Sequence, residues 1–250
     1  ATGILVLGFD HGSRLLQYIT DGDKSYQATV VLGAATVTDD VEGKVISTAD
    51  TSAITDTQIH GELSKMRGTI MQRPSSVSAV KIDGERAYDR VRSGEEVVLP
   101  SREVTITQLD VLAIRRLEKG IEIDIEVTCS SGTFIRAIAR DCGDALGVGG
   151  HLNSLRRSRV AGFGLDRAVT LEQLKSGDFS TLDLADVARA TFAVREIAMD
   201  EKLELSFGRT LLANPDDQIY AGISATNELI ALLQNVGGKA KPIAVFAAAQ

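Results

Sequence analysis

Residues 120–129, GIEIDIEVTC, alternate without a break: Ile121, Ile123, Ile125 and Val127 share one side, and Glu122, Asp124 and Glu126 the other. A period of two over this length marks a β-strand with one dry face and one wet face. It commits the chain to a sheet that is buried on a single side. REVTITQLDVLAIRR (102–116) alternates in the same way. Directly after the second strand the period changes. In SSGTFIRAIARDCGDALG, Ser130, Ser131, Gly132 and Thr133 supply a turn and an N-cap, and Ile135, Ile138, Ala139 and Cys142 then fall at helical spacing.

The remaining segments fit an α+β chain. SYQATVVLG (25–33) reads as a strand, and TVTDDVEGKVI (36–46) as a hairpin or strand connection around Asp39, Asp40 and Gly43. TDTQIHGELSKMRG (55–68) has a capping residue at its start, Ile59, Leu63 and Met66 at helical spacing, and a stop at Gly68. Ile4 to Leu7 read as a buried strand, GVGGH (147–151) as a helix stop and turn, SRVAGFGLD as a further strand, and TLEQLKSG as a short capped helix ended by Gly177. The composition shifts near residue 180. From DLADVARATF onward the tail is Gly-punctuated and carries its own strands, ELIALLQ and PIAVFAA. The expected division is a large α+β domain over 1–182 and a small β-rich domain over 183–250.

Composition narrows the function only partly. Lys and Arg number 27 against 34 Asp and Glu, a net charge of −7, which on average opposes a nucleic-acid partner. Binding uses the local field, however. HLNSLRRSRVAGF carries Arg156, Arg157 and Arg159 with no acid among them, while KIDGERAYDRVR holds Lys81, Arg86, Arg90 and Arg92 diluted by Asp83, Glu85 and Asp89. A solvated surface face is the competing reading of both patches. No apolar run approaches the roughly 18–20 residues that span a bilayer. Cys129 and Cys142 match neither a metal spacing nor a disulfide framework, and His11, His60 and His151 lack companion ligands; a reduced, cytoplasmic setting without a metal is the expectation. Arg136 is the informative charge. It sits between Ile135 and Ala137 in the first turn of the helix, either on the outer face or buried with an acidic partner, because burial without one would be too costly.

Four stretches in order, GDKSYQATVVLGAATVTDDVEG, PSSVSAVKIDGERAYDRVRSG, CSSGTFIRAIARDCGDALGVGGHLNSLRRSRVAGF and the opening ATG, resemble the TruB family of tRNA pseudouridine synthases over most of residues 1–165. The tail resembles that family's small PUA-like RNA-binding module in its actinobacterial form. The resemblance implies a pseudouridine synthase catalytic domain with a mixed, largely antiparallel central sheet. It also implies isomerisation of the T-loop uridine, position 55, of tRNA by base flipping and carboxylate nucleophilic catalysis, with no cofactor, in a cytoplasmic monomer whose partner is the tRNA T-arm. The family's nucleophilic Asp stands in G-T-L-D-P-x-A-T-G, so it is expected three residues before Ala1, outside this chain. Asp10, Asp39 and Asp40 each have an adequate structural explanation and are not expected to replace it. Tyr26 matches the family's stacking tyrosine, and its plainer reading is a strand-face core aromatic. Arg136 matches the arginine that pairs with the nucleophile, and Leu155 the leucine that packs against the flipped base. Lys81 and Arg157 match basic positions near the RNA path. Phe134 stands where the family usually has tyrosine; a ring wall with no acid–base duty is expected there. A catalytically inactive tRNA-binding or RNA-folding module is the alternative function.

Overall fold

In the computed structural model the described residues are 1–78, 81–82, 85–86, 90, 99–215 and 218–247, with the side chains of 81–82 and 85–86 excluded. Contacts divide the chain into two compact units: one comprises Ala1–Ile4 and Asp21–Val160, the other Leu5–Thr20 and Ala161–Gln250.

The first unit is built on β1 (Thr2–Gly3), β2 (Lys24–Leu32), β3 (Gly68–Gln72), β4 (Arg102–Arg116), β5 (Ile121–Cys129) and β6 (Gly150–Val160), in the spatial order β1-β6-β2-β5-β4-β3. The pairings are antiparallel except β1 with β6, which is parallel, so the sheet is mixed and largely antiparallel. Strict alternation makes β5 its centre. Ile121, Ile123, Ile125, Val127 and Cys129 are all buried, and the residues between them are half-buried on the other face. Two helices cover the apolar face, α1 (Asp56–Ser64) and α2 (Ile135–Ala145), through Ile59, Leu63, Ile135, Ile138, Ala139 and Cys142. Thr55 caps α1 in a reciprocal capping box with Gln58. The end of α2 lies directly on the start of β6: a Cβ on Gly143 would come within 2.2 Å of the backbone of Gly149 and Gly150. Only glycine permits that approach, which gives GVGGH its packing role as well as its turn.

Two sequence expectations are corrected here. Ile4 to Leu7 do not form a buried strand. Only Thr2 and Gly3 pair with β6, Ile4 adds one N–H bond to the Arg157 carbonyl, and beyond it Leu5 and Leu7 are 71% and 55% exposed. Apolar character alone cannot hold a strand where the sheet offers no further partner. The strand expected at SRVAGFGLD is present as Ser158–Val160 and, after a turn through Ala161 at φ 48°, as a short paired strand at Phe163–Gly164, but its first part is the end of a longer strand that begins at Gly150. It escaped the period-two pattern because it is bulged at Asn153 and at Ser158, so Leu152 and Leu155, three apart, face the same way.

The second unit has its own sheet, with helices α3 (Leu184–Thr191) and α4 (Met199–Ser206). Strands β7 (Ala193–Ile197), β8 (Leu211–Leu212), β9 (Tyr220–Ser224), β10 (Leu229–Val236) and β11 (Lys239–Val245) run in the order β7-β9-β10-β11-β8. Ile197, Leu205, Tyr220, Ile230 and Leu233 form its core. The buried Tyr220 hydroxyl donates to Asn235 Oδ1 at 3.0 Å, so no polar atom of the ring is left unpaired. Among the described residues no helix is long and apolar enough to cross a membrane.

Candidate active site

The geometry of the site begins with a helical spacing. Arg136 and Arg140 are four apart and project from one side of α2 while Ile135, Ile138, Ala139 and Cys142 fill the core. They meet the tip of the hairpin formed by Ala34–Thr36 and Val45–Thr48. That tip is strapped to β6: Leu152 N–H donates to the Asp39 carbonyl at 3.0 Å, and Val41 N–H to the Leu152 carbonyl at 2.8 Å. Asp39 turns the chain at φ 58°. Arg136 Nη2 lies 2.7 Å from Asp40 Oδ2, and its Nη1 donates to the Val77 carbonyl at 3.3 Å. Arg140 pairs with Asp39 at 3.2 Å and with Asp141 at 2.7 Å, and donates to the Arg73 carbonyl at 2.7 Å.

Arg136 is therefore neither free on the outer face nor fully enclosed. Its side chain is 36% exposed, against 13% for Asp40. The half-burial keeps desolvation modest, and the carboxylate compensates the charge that is withdrawn from water. Asp40 Oδ1 also accepts from Thr38 Oγ1 at 2.5 Å and from Glu42 N–H at 3.1 Å. It serves at once as the turn residue expected from the sequence and as the anion beside Arg136. The second role was legible only in retrospect, as adjacent acids at a hairpin tip facing arginines one helical turn apart.

A second group assembles across β2 and β6. Tyr26 lies opposite Arg157, and Ala28 opposite Leu155. Residues directly opposite share a face, and the face is that of Ala28, Val30 and Leu32. Tyr26 and Leu155 pack on the same apolar cluster as Ile135 and Ile138 of α2. Burial pushes the Tyr26 phenol above its ordinary pKa, Cys129 adds to the shift, and hydrogen bonding with Arg157 opposes it. Arg157 also donates from Nε to the Ile4 carbonyl at 2.7 Å, tying β1 to the sheet. Gly3 fits against it without a side chain, since a Cβ there would stand 2.1 Å from the Arg157 carbonyl oxygen.

Phe134 joins the two groups in sequence and corrects a further expectation. The N-cap of α2 is Phe134, with no side-chain cap of its own, and not one of the residues 130–133. The hydroxyls expected to cap are used in the turn: Thr133 Oγ1 donates to the Ser130 carbonyl, and Ser130 Oγ accepts from Thr105 N–H. The Phe134 N–H and carbonyl are instead both bonded to Gln72, and the Arg102 guanidinium carbon lies 4.6 Å from the centre of the Phe134 ring. Lys81 pairs with Arg86 between two short antiparallel strands, and its side chain lies outside the described residues.

Comparison with known proteins meets this arrangement. The model of the TruB family pseudouridylate synthase N-terminal domain matches residues 1–135, that of the tRNA pseudouridylate synthase B C-terminal domain residues 136–202, and that of the tRNA pseudouridine synthase II C-terminal region residues 192–247. The chain belongs to the TruB family of pseudouridine synthases. It is 48% identical to tRNA pseudouridine synthase B of Arthrobacter sp. (strain FB24), over 99% of this chain and 84% of that protein. To the protein of the same name from Corynebacterium diphtheriae it is 46% identical, over 98% and 83%. A crystal structure of a Cbf5-Nop10-Gar1 complex shares the fold, with a TM-score of 0.72 at 20% identity over 99% of this chain and 73% of that one.

Within a TruB chain the sequence-expected residues thus fall into neighbouring sets. Tyr26, Leu155 and Arg157 lie on one face of two paired strands, while Phe134 and Arg136 open the helix that packs on the same cluster. Arg140 and Gln72 join them without having been singled out by the sequence, and so does Asp40, which the sequence marked as a turn residue and not as the partner of Arg136. Gln72 is separated from Phe134 by 62 positions and belongs to no local pattern.

Proposed function

We propose that this chain isomerises the T-loop uridine, position 55, of tRNA to pseudouridine. The observation that carries the reading is Arg136, held in the first turn of α2 by Asp40 and the Val77 carbonyl while its side chain stays 36% exposed and open to a second anion. A fixed guanidinium of this kind orients an aspartate and keeps it ionised, which a carboxylate nucleophile needs. The nucleophile is the Asp that the family resemblance places three residues before Ala1. The reaction breaks the glycosidic bond of the uridine, turns the detached uracil and rejoins it to the sugar through carbon, so the site must hold a free base. Tyr26 stacks on the extruded uridine, Leu155 packs against the base, and Phe134 forms a ring wall with no proton to give. Extrusion costs a few kcal/mol, and stacking on one aromatic ring returns roughly 1–3 kcal/mol of it. Arg157 and Lys81 line the RNA path, Arg157 with its Nε already engaged on Ile4. The tail from residue 183 acts as a PUA-like RNA-binding module, and the protein works as a cytoplasmic monomer on the T-arm.

The relatives' shared name, tRNA pseudouridine synthase B, supports the substrate class. The test is release of tritium from 5-tritiated uridine in a T-arm stem-loop, with protein expressed from its complete reading frame. Label release that Arg136→Ala abolishes, with tRNA affinity retained, is the expected result. Binding with no release from the unaltered protein would select the inactive RNA-binding module instead.

A further inference from the structure

Gln72 ends β3 and is 2% exposed. Its amide is used on a single distant residue: Oε1 accepts from Phe134 N–H at 2.8 Å, and Nε2 donates to the Phe134 carbonyl at 3.1 Å. The two partners fix the orientation of the amide, since the peptide N–H can only donate and the carbonyl only accept. Phe134 occupies an N-cap, a position ordinarily served by its own hydroxyl, amide or carboxylate or by a Glu or Gln three residues on. Here those positions hold Phe134 and Ala137, neither of which can reach back. The sheet supplies the reciprocal half of a capping box, the acceptor for the N-cap's own N–H. Directly across from Gln72 on β4 stands Arg102, whose guanidinium lies over the Phe134 ring at 4.6 Å. One cross-strand pair thus holds both ends of the same residue, Gln72 its backbone and Arg102 one face of its ring.

The geometry points to Gln72 as a positioning residue for the isomerisation. By gripping Phe134 it sets where α2 begins, and with that the place of the ring wall and of Arg136 two residues later. Arg102 blocks one face of the ring, so a detached uracil meets Phe134 at its other face or edge. The inference rests on the reading of Phe134 and Arg136 as uridine-site residues, and its action passes through them without contact with the substrate.

Gln72→Leu keeps the bulk and removes both bonds. In single-turnover tritium release at saturating T-arm RNA its rate should fall by about tenfold or more, as displacement of positioned groups does, with the dissociation constant for the RNA changed by less than about twofold. Gln72→Glu gives a readout that packing alone does not. Protonated, the new acid donates to the Phe134 carbonyl and accepts from its N–H as the amide does; ionised, it has no donor and faces the carbonyl oxygen. Burial raises the pKa of such an acid, so its rate relative to the unaltered enzyme should recover as pH falls from 8 to 5. This comparison is made within one folded protein and decides the matter should Gln72→Leu fail to fold. An unaltered rate in Gln72→Leu, a loss confined to RNA affinity, or a rate ratio for Gln72→Glu that is flat with pH would overturn the inference. Arg136→Ala in the same assay separates the two levels. If it is active, the site reading falls and the role of Gln72 with it; if it is inactive beside an active Gln72→Leu, only the role of Gln72 falls.

Discussion

At the scale of single residues, environment decides what each side chain can do. Tyr26 is a core aromatic in its packing and a candidate stacking platform by its place near the start of β2, and the two readings do not exclude each other. They are separated by kinetics. Tyr26→Leu retains apolar contact with the cluster and loses the ring, so it should lower the single-turnover rate of label release more than it lowers RNA affinity; equal losses in both would return Tyr26 to packing. The cysteines are the contrasting case. Burial pushes the Cys142 thiol up to about 12 and raises Cys129 as well, and both are at most 1% exposed. Because the thiolate is the reactive form, iodoacetamide at pH 8 should leave both unlabelled in the folded protein and label both in guanidinium. The sequence singled out Arg136 and its need for an acidic partner if withdrawn from water, but could not say which acid that would be. Asp40 and Arg136 are 96 positions apart, and only the strapping of the hairpin tip to Leu152 brings them together.

Among the elements, legibility followed regularity. The strand at 121–129 and the capped helices at 56–64 and 171–176 were plain in the sequence because period and cap agree there. Strand β6 was missed over its first half because two bulges break its period, and the N-cap of α2 was misplaced because a remote glutamine, and no local side chain, holds the Phe134 backbone. The wet face of the sheet carries its own stabilising device. Arg115 of β4 bonds Glu122 and Asp124 of β5, with Nη2 to Asp124 Oδ1 at 2.9 Å, and Thr29 of β2 donates to Asp124 at 2.9 Å. The hydrogen bond from Arg115 holds the Asp124 carboxyl below its ordinary pKa. A carboxylate with a depressed pKa favours the folded state above its unfolded value, and that contribution disappears as pH falls through the folded value. Asp124→Asn should therefore be less stable than the unaltered protein in urea at pH 7, with the difference shrinking as the pH is lowered from about 4 toward 2.

For the molecule as a whole, the acidic balance of 27 basic against 34 acidic residues coexists with a basic strand, so charge averaged over the chain is a poor guide to its partner. The two compact units pose a different question, because the second is assembled from separated stretches. Within it Tyr18 meets the Phe192 ring edge-on at 5.4 Å, Arg14 donates to the Val245 carbonyl at 2.6 Å, and the Arg14 guanidinium lies 4.7 Å from the centre of the Phe246 ring. A fragment of residues 161–250 lacks all of these partners. It should unfold at lower urea than the same unit in the intact chain, and a fragment with Leu5–Thr20 fused to it should recover part of the loss; equal midpoints for both fragments would show that the segment adds nothing. The chain passes from one unit to the other at 4/5, at 20/21 and again at 160/161. A protease that severs the last of these passages splits the chain into 1–160 and 161–250, and the second fragment is then held only by its noncovalent contacts with Leu5–Thr20. In evolution, neither unit could be exchanged for a foreign one by a single crossover in the gene.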